Sequence, residues 1–286
     1  MSFLFQIQKN EIIITGYEGP VSYLQIPETL EDRPVTQIAA SAFSGRTDLI
    51  YAKLPATITK LGRFAFYGCS ALEKISLSDG IIDYGDGVFR QCRNMHEAEL
   101  DIREQRYYVL KELLADTDRV ITADITFPDG RARLTFPEYL FEYIEDTRAR
   151  AIHLHIEGTG YNYRECVSRK SIDFRSYDRS FEKLRSASPS LACRIAMDRL
   201  CFPYNLEKSA SDSYQEHLRT FGKDAAALAV LERRTDWLQM LTAKQLLSAD
   251  ALHDSIQFAS QKDLPECVAI LASALPRKNK KGRMML

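Results

Sequence analysis

The sequence predicts an α+β fold in which a solenoid of short β-strands comes first and an all-helical domain comes last. Apolar motifs recur at a fixed step of 23 residues across the first hundred residues. A period in the twenties is typical of a solenoid, whose units bury their apolar faces only against one another. From Ser188 onward the apolar residues instead follow a helical period. Solenoids mainly present binding surfaces, so the repeats favour a binding function.

Each repeat unit pairs a small residue with a large aromatic one and then continues into a strand. The complete copies are Ile38–Leu54, Leu61–Leu77 and Tyr84–Leu100, and an incomplete first copy contains Val21, Leu24 and Ile26. We expect Phe43, Phe66 and Phe89 to stack as a spine inside the solenoid. Cys69 and Cys92, three residues further on, are predicted to be small buried side chains. Arg46 occupies the corresponding position in the first complete copy. Because burying an unpaired arginine is costly, we expect an edge of the stack there.

Side chains alternate across a strand, so the polar positions of the stacked strands should form two outward rows. The first row is Tyr23, Tyr51, Lys74 and Glu97, and the second is Gln25, Lys53, Ser76 and Glu99. The residues expected to contact a partner are Tyr51, Lys53, Lys74, Ser76, Glu97 and Glu99. Their mixed charge favours a protein partner over a polyanion.

One repeat carries a family resemblance. The unit Leu61–Leu77 reads LGRFAFYGCSALEKISL, which resembles the BspA-type leucine-rich repeat of bacterial proteins at almost every position. Ile26-Pro27 and Leu54-Pro55 match the proline that ends the strand in this family, whereas Ser78 departs from it. The resemblance covers residues 20–102. It implies a short leucine-rich-repeat solenoid of β-strands and loop or 3-10 turns, with a curved interaction surface and no catalytic residue.

Elements outside the repeats predict how the solenoid begins and ends. Before the repeats, Phe3–Ile7 and Glu11–Thr15 alternate around Lys9-Asn10, which predicts a β-hairpin over the open end of the stack. The elements predicted after the repeats are a helix over Arg103–Asp116, a hairpin over Ile121–Phe136, a helix over Pro137–Glu145 and a strand over Ala151–Ile156. A tyrosine-rich stretch, Tyr161–Phe181, follows.

The C-terminal part is predicted to consist of short helices. Pro189 is placed at the first position of a helix, and the later helices are expected over Asp212–Phe221, Asp224–Arg233, Asp236–Leu241, Ala249–Ser260 and Pro265–Ala274. Leu238 and Leu241 correspond to Val268 and Leu271, and the last helix pair resembles a degenerate ankyrin repeat. The domains predicted are 1–102 for the repeats with their hairpin, 103–187 for a connecting region, 188–276 for the helical domain and 277–286 for a basic disordered tail.

Composition excludes several function classes. The chain has 38 basic and 39 acidic residues, so no strong field attracts nucleic acid, and near-neutrality gives little protection against weak self-association. No apolar stretch approaches the roughly 20 residues of a membrane span, and the N-terminus lacks the pattern of a signal peptide. Six cysteines without a CxxC pair fit a reducing compartment. We therefore predict a cytoplasmic protein, with the cell surface as the alternative if a leader has been removed.

The residues that could bind a metal or take part in a reaction form no recognised catalytic pattern. His153 and His155 share one face of a predicted strand near Cys166, which makes them a weak metal-site candidate. The Gly158-Thr159-Gly160 and Gly85-Asp86-Gly87 segments lack the context of a phosphate-binding loop. The sequence thus predicts a non-catalytic protein-interaction module without a cofactor. The alternatives are an enzyme or metal site in the C-terminal half with the repeats as a targeting arm, or nucleic-acid association through the basic tail and the aromatic stretch.

Overall fold

The computed structural model of the protein describes residues 2–146 and 151–275. The chain divides into two compact units. The first contains the residues up to Lys183 together with Phe202–Leu206, and the second contains Leu184–Cys201 and the residues from Glu207 onward. The domain boundaries expected from the sequence, at 102 and 187, stay predictions.

The first unit contains a β-solenoid of about five turns. Its strands are Ser2–Gln8 (β1), Glu11–Glu18 (β2), Tyr23–Gln25 (β3), Thr29–Leu30 (β4), Arg33–Ile38 (β5), Tyr51–Lys53 (β6), Lys60–Leu61 (β7), Lys74–Ser78 (β8), Asp83–Tyr84 (β9), Glu97–Asp101 (β10), Ile121–Phe127 (β11), Gly130–Phe136 (β12), Leu140–Asp146 (β13) and Ala151–Glu157 (β14). Helices described along the chain are Tyr108–Ala115 (α1), Gly160–Glu165 (α2), Phe174–Arg179 (α3), Phe181–Ala187 (α4), Pro189–Cys201 (α5), Lys208–Thr220 (α6), Gly222–Leu231 (α7), Thr235–Ala243 (α8), Ala249–Gln261 (α9) and Pro265–Ser273 (α10).

Two sheets form the walls of the solenoid. The face sheet has the order β3-β6-β8-β10-β11-β12 and is parallel except for the antiparallel β11–β12 pair. The back sheet has the order β1-β2-β5-β7-β9, with β4 paired to β5. The two predicted hairpins therefore extend opposite ends of different sheets: β1–β2 extends the back sheet, and β11–β12 extends the face sheet.

The predicted aromatic spine is confirmed. The ring centroids of Phe43 and Phe66 are 4.9 Å apart and those of Phe66 and Phe89 are 5.3 Å apart, with the rings nearly parallel. The thiols of Cys69 and Cys92 are buried beside the spine, and each Sγ lies 3.1 Å from a backbone carbonyl oxygen of the preceding turn. Each turn therefore contributes one ring to a continuous core, and the two later turns each add one small buried thiol beside it.

Arg46 lies where the repeat stack meets the N-terminal hairpin. Its guanidinium donates hydrogen bonds to the backbone carbonyls of Tyr17, at 3.0 Å, and Gly19, at 2.6 Å, and it is paired with Asp48 at 2.7 Å. The hydrogen bond from Arg46 lowers the pKa of Asp48 to about 2. The cationic side chain at this cysteine position is thus compensated by the Asp48 carboxylate and by two backbone carbonyls at the end of the hairpin.

At the other end of the stack, a carboxylate replaces the backbone acceptor of the hydrogen bonds that join successive turns. The backbone N–H of Phe43 donates to Ala65 O, and that of Phe66 donates to Val88 O, each in the next turn. At the last turn, the N–H of Phe89 donates instead to Asp116 Oδ2, at 3.0 Å. Asp116 follows α1 directly, so this helix supplies the acceptor that a further repeat would have given.

Neighbouring turns approach each other closely at two glycines. A Cβ atom added at Gly62 would lie 2.3 Å from the backbone nitrogen of Ala40, and one added at Gly85 would lie 2.4 Å from that of Arg63. Because both neighbours are backbone atoms of the preceding turn, a side chain fits only if the turns separate. The apolar positions that define the repeat do not reveal this requirement, because the two glycines are not among them.

Replacing Gly62 by alanine is therefore expected to destabilise the solenoid by about 3 kcal/mol, the upper end of overpacking costs. The matched control is Gly45→Ala, because a Cβ there meets nothing within 4 Å and only the positive φ of 73° is strained. That strain should cost about 1 kcal/mol. Urea unfolding followed by far-ultraviolet circular dichroism compares the two variants. Equal losses would contradict the close approach at Gly62.

The predicted helix over Pro137–Glu145 is wrong. Residues 140–146 form strand β13, which pairs antiparallel with β14 from Leu140↔Glu157 to Asp146↔Ala151. The segment is rich in phenylalanine, tyrosine and isoleucine, which favour a pleated strand when a partner strand is available. The partner, β14, was predicted, and its pairing outweighs the local helical pattern. The helix predicted over Arg103–Asp116 is shorter, with α1 beginning at Tyr108.

The second unit is helical, as predicted. Two helix pairs, α7–α8 and α9–α10, contain the same turn, with Arg233 and Asp263 both at positive φ thirty positions apart. After each turn residue, the next N–H donates to a carbonyl of the first helix, from Arg234 to Ala229 and from Leu264 to Ala259. The pairs pack side by side through α7 on α9 and α8 on α10. Trp237, fully buried, lies in the core of this unit.

Candidate functional site

The strands of the face sheet place the two predicted rows in register. Tyr23, Tyr51, Lys74 and Glu97 are successive Cα partners, and so are Gln25, Lys53, Ser76 and Glu99. Strand β11 continues the rows with Thr122 and Asp124. We call these ten side chains the strand face. None of them is buried. The proposed contact residues therefore lie together on one accessible surface.

The middle of the strand face is an ion-pair network. The Lys74 ammonium lies 2.7 Å from Glu99 and 3.4 Å from Glu97. Partial burial opposes its charge, but the hydrogen bond and charge of Glu99 outweigh this effect and raise the pKa of Lys74. Burial and the neighbouring Glu99 also raise the pKa of Tyr51, whose hydroxyl donates to that carboxylate at 3.4 Å. These side chains are thus compensated within the chain.

The beginning of the strand face differs, because its side chains are open to solvent. Tyr23 is 72% exposed, and Gln25 and Lys53 are also exposed. Among the side chains that the structure describes, those of residues 2–140 and 157–275, Lys53 finds no ion-pair partner and no side-chain hydrogen bond. An aromatic ring, an amide and an uncompensated ammonium therefore occupy neighbouring positions on the first two strands.

The strand face ends at β11, next to β12, where Thr135 is covered by other parts of the first unit. Thr135 is fully buried, and its hydroxyl lies 2.9 Å from that of Thr122. Asp124 is paired with Arg133 and Arg131 of β12. Thr122 and Asp124, the last residues of the strand face, are thus engaged by side chains of β12.

The covering segment at this end is Phe202–Leu206, which lies between α5 and α6 in the sequence. Its Pro203 forms an antiparallel bridge with Ala132 of β12. The Tyr204 ring stacks on Phe127, with centroids 4.3 Å apart, and its hydroxyl donates to Asp129 at 2.9 Å. This contact was not predicted, because no repeat or charge pattern links residues so distant in the chain.

The histidine pair proposed as a weak metal site lies in β14. His153 is the Cα partner of Ile144, and His155 is the partner of Glu142, but their side chains lie outside the described residues. Cys166, the third member, is buried, and its Sγ lies 3.2 Å from the carbonyl oxygen of Asn162. Burial raises the pKa of this thiol to about 11, so it is protonated at neutral pH. Where side chains are described, no group of three metal-ligating residues occurs.

A Cys–His pair that the sequence did not predict lies in the second unit. The Cys193 Sγ is 3.6 Å from His217 Nε2, and this nitrogen is 3.2 Å from the carbonyl oxygen of Pro189. Burial lowers the pKa of His217 and raises that of Cys193 to about 12. Both shifts favour the neutral forms, whereas a nucleophilic pair needs the thiolate. The pair is a packed core contact.

The remaining candidates are the aromatic stretch and the basic tail, which were considered for nucleic-acid binding. Tyr163, Phe174, Tyr177 and Phe181 of the aromatic stretch are buried in the first unit, so their rings do not form a stacking surface for bases. The basic tail, residues 277–286, lies outside the described residues.

The fold and the accessible strand face define a β-solenoid of the leucine-rich-repeat class. Residues 17–149 match the family model described as "BspA type Leucine rich repeat region", in six copies. The match begins before the first predicted repeat and continues past Leu100, through the hairpin β11–β12. The repeat part of the chain is therefore similar to BspA-type leucine-rich-repeat regions. No match among curated proteins reaches significance.

Several solved structures resemble part of the chain. The T. pallidum leucine-rich repeat protein TpLRR is 26% identical, with 36% of this chain and 51% of that protein covered and a TM-score of 0.33. A leucine-rich repeat protein from Bacteroides capillosus is also 26% identical, covering 34% and 76%, with a TM-score of 0.31. A leucine rich cell surface protein from Faecalibacterium prausnitzii is 23% identical, covering 45% and 41%, with a TM-score of 0.32. The chain thus spans about half the length of TpLRR.

None of the helices described is both long enough and apolar enough to cross a bilayer.

Proposed function

We propose that this protein is a non-catalytic protein-interaction module that binds its partner through the strand face. The observation that carries the proposal is the registered, accessible arrangement of the two rows on five adjacent strands. Leucine-rich repeats are typical of protein-interaction modules. A row of side chains at a fixed strand spacing offers a partner evenly placed contacts over a long surface.

The contact is proposed to centre on the first two strands. Lys74, Glu97 and Glu99 compensate one another, so a partner must break existing ion pairs to use them. Lys53 has no such pair within the described residues, and Tyr23 beside it is the most exposed aromatic residue of the face. Tyrosine is enriched at interaction hot spots, and an unpaired cation attracts a carboxylate during encounter. We therefore propose a protein partner that presents an acidic group to Lys53.

Replacing Lys53 by glutamate is expected to abolish or strongly weaken partner binding while leaving the melting temperature unchanged. The side chain is exposed, so its charge reversal repels an acidic partner without disturbing the core. Affinity capture from the native cell lysate with immobilised wild-type chain and variant measures this effect. A photo-crosslinking residue introduced at position 23 should identify the protein that is lost.

The matched control is Arg93→Glu, which makes the same charge change at an exposed position in the turn before β10. It should retain the captured partner. Lys74→Glu is a poorer test, because the new carboxylate would lie beside Glu97 and Glu99 and weaken the sheet itself. If Lys53→Glu captures the same proteins as the wild type and Arg93→Glu, the strand face is not the contact surface.

The helical unit is proposed to provide a second surface. Its two helix pairs repeat the same turn thirty residues apart, which supports a helical repeat. Assignment of these pairs to the ankyrin type stays a prediction, since the ankyrin signature is missing from the sequence. The cytoplasmic compartment also stays a prediction.

A further inference from the structure

Strand β1 leaves one side of the back sheet open. It is the terminal strand of that sheet and is hydrogen-bonded to β2 along one edge only. No backbone hydrogen bond joins its other edge to any described residue. Two apolar side chains on this strand are half exposed, Leu4 at 49% and Ile7 at 50%. An open edge of this kind is a template for pairing with another strand.

The other strand edges of the solenoid are short or covered. At the far end of the back sheet, β9 has two residues, and at the start of the face sheet, β3 has three. The outer edge of β12 is bridged by Pro203. By contrast, β1 has seven residues, SFLFQIQ, without a charge, a proline or a glycine. The devices by which proteins normally block edge pairing are missing from β1.

The bulge in the hairpin does not protect this edge. Leu4 is paired with Gly16 and Phe5 with Ile14, so the extra residue, Thr15, lies on β2. Strand β1 therefore continues regularly through the bulge. A regular, uncharged strand of seven residues has the length and composition that favour strand addition.

We propose that β1 pairs antiparallel with β1 of a second copy of this chain, joining the two back sheets into one continuous sheet. Self-pairing suits this strand because it carries no charge, so no like charges oppose one another across the junction. A two-fold axis at Phe5 would place Ile7 opposite Phe3 and Gln8 opposite Ser2. The first is an apolar cross-strand pair and the second a polar one, and both stabilise a sheet. Such an isologous contact closes as a dimer.

Replacing Gln6 by lysine tests the dimer in the full chain. Gln6 is exposed, so the variant should fold normally. Across the proposed junction the two new lysines would be diagonal neighbours about 7–8 Å apart, and they would repel each other. The control is Gln239→Lys, the same substitution at an exposed position of α8. Sedimentation analysis over a concentration series should show dimerisation of the wild type and of Gln239→Lys.

The dissociation constant of Gln6→Lys is expected to rise at least about tenfold. Hydrogen exchange gives an independent measurement: amides of residues 2–8 should become more protected as the wild-type concentration rises, but not in Gln6→Lys. A wild type that stays monomeric over the series would overturn the proposal and leave the edge to a strand of another protein. A dimer that Gln6→Lys leaves unchanged would overturn it as well.

Discussion

Replacing Phe66 by alanine is expected to lower the free energy of unfolding of the solenoid by about 3–5 kcal/mol. The Phe66 ring is fully buried and stacks on Phe43 on one side and on Phe89 on the other. Removing it leaves a cavity between two turns that the backbone ladder holds at a fixed spacing, so neighbouring side chains cannot collapse into it. A loss of this size approaches the whole stability of many domains.

The control for this prediction is Phe64→Ala, two positions earlier in the same turn. Phe64 is only partly buried, and its ring lies against the Arg63 guanidinium on the outside of the turn. Its removal should cost about 1 kcal/mol or less. Hydrogen exchange of peptides from residues 38–100, measured at increasing urea, follows the solenoid directly. Comparable losses for the two variants would mean that the stacked rings are not the structural core.

Replacing Asp198 by alanine is expected to destabilise the helical unit by about 3–5 kcal/mol. Its Oδ1 accepts a hydrogen bond from the Trp237 indole N–H at 3.0 Å and lies 3.5 Å from the Arg234 guanidinium. Asp198 is fully buried, so alanine leaves a buried N–H without its acceptor and reduces the compensation of a half-buried cation. Trp237 is the single tryptophan of the chain, and its fluorescence reports urea unfolding of this unit.

Two further variants separate the loss of the hydrogen-bond acceptor from the loss of the negative charge. Asp198→Asn keeps an oxygen acceptor for the indole N–H and removes only the charge, so a smaller loss of about 1.5–3 kcal/mol is expected. Asp236→Asn changes the other carboxylate paired with Arg234. The Asp236 side chain is 39% exposed, so its neutralisation should cost about 1 kcal/mol or less. If Asp198→Ala lost no more than Asp236→Asn, the buried hydrogen bond would not stabilise this core.

Much of the repeat structure could be predicted from the sequence because its period is encoded locally. Each unit places Phe43, Phe66 or Phe89 at the same point of a turn, and alternation along each strand decides which side chains face outward. The rows through Tyr51 and Lys53 follow from these two facts alone. The helices of the C-terminal part were predicted for the same reason, since their periodicity and start signals lie within single segments.

Prediction failed where a segment's structure depends on a distant partner. Residues 140–146 have a pattern compatible with a helix, and pairing with β14 makes them a strand. The coverage of β12 by Phe202–Leu206 depends on residues about seventy positions apart. Such contacts cannot be predicted from the periodicity or the local propensity of a segment.

The repeat, the inward aromatic spine and the identity of the outward rows follow from spacing along the chain, so they can be predicted without coordinates. Which outward residues are available depends on how the turns stack. The stacking pairs Lys74 with two glutamates, leaves Lys53 open and brings the backbone of Ala40 against Gly62. These outcomes depend on interatomic distances between turns, and only the stacked chain fixes those distances.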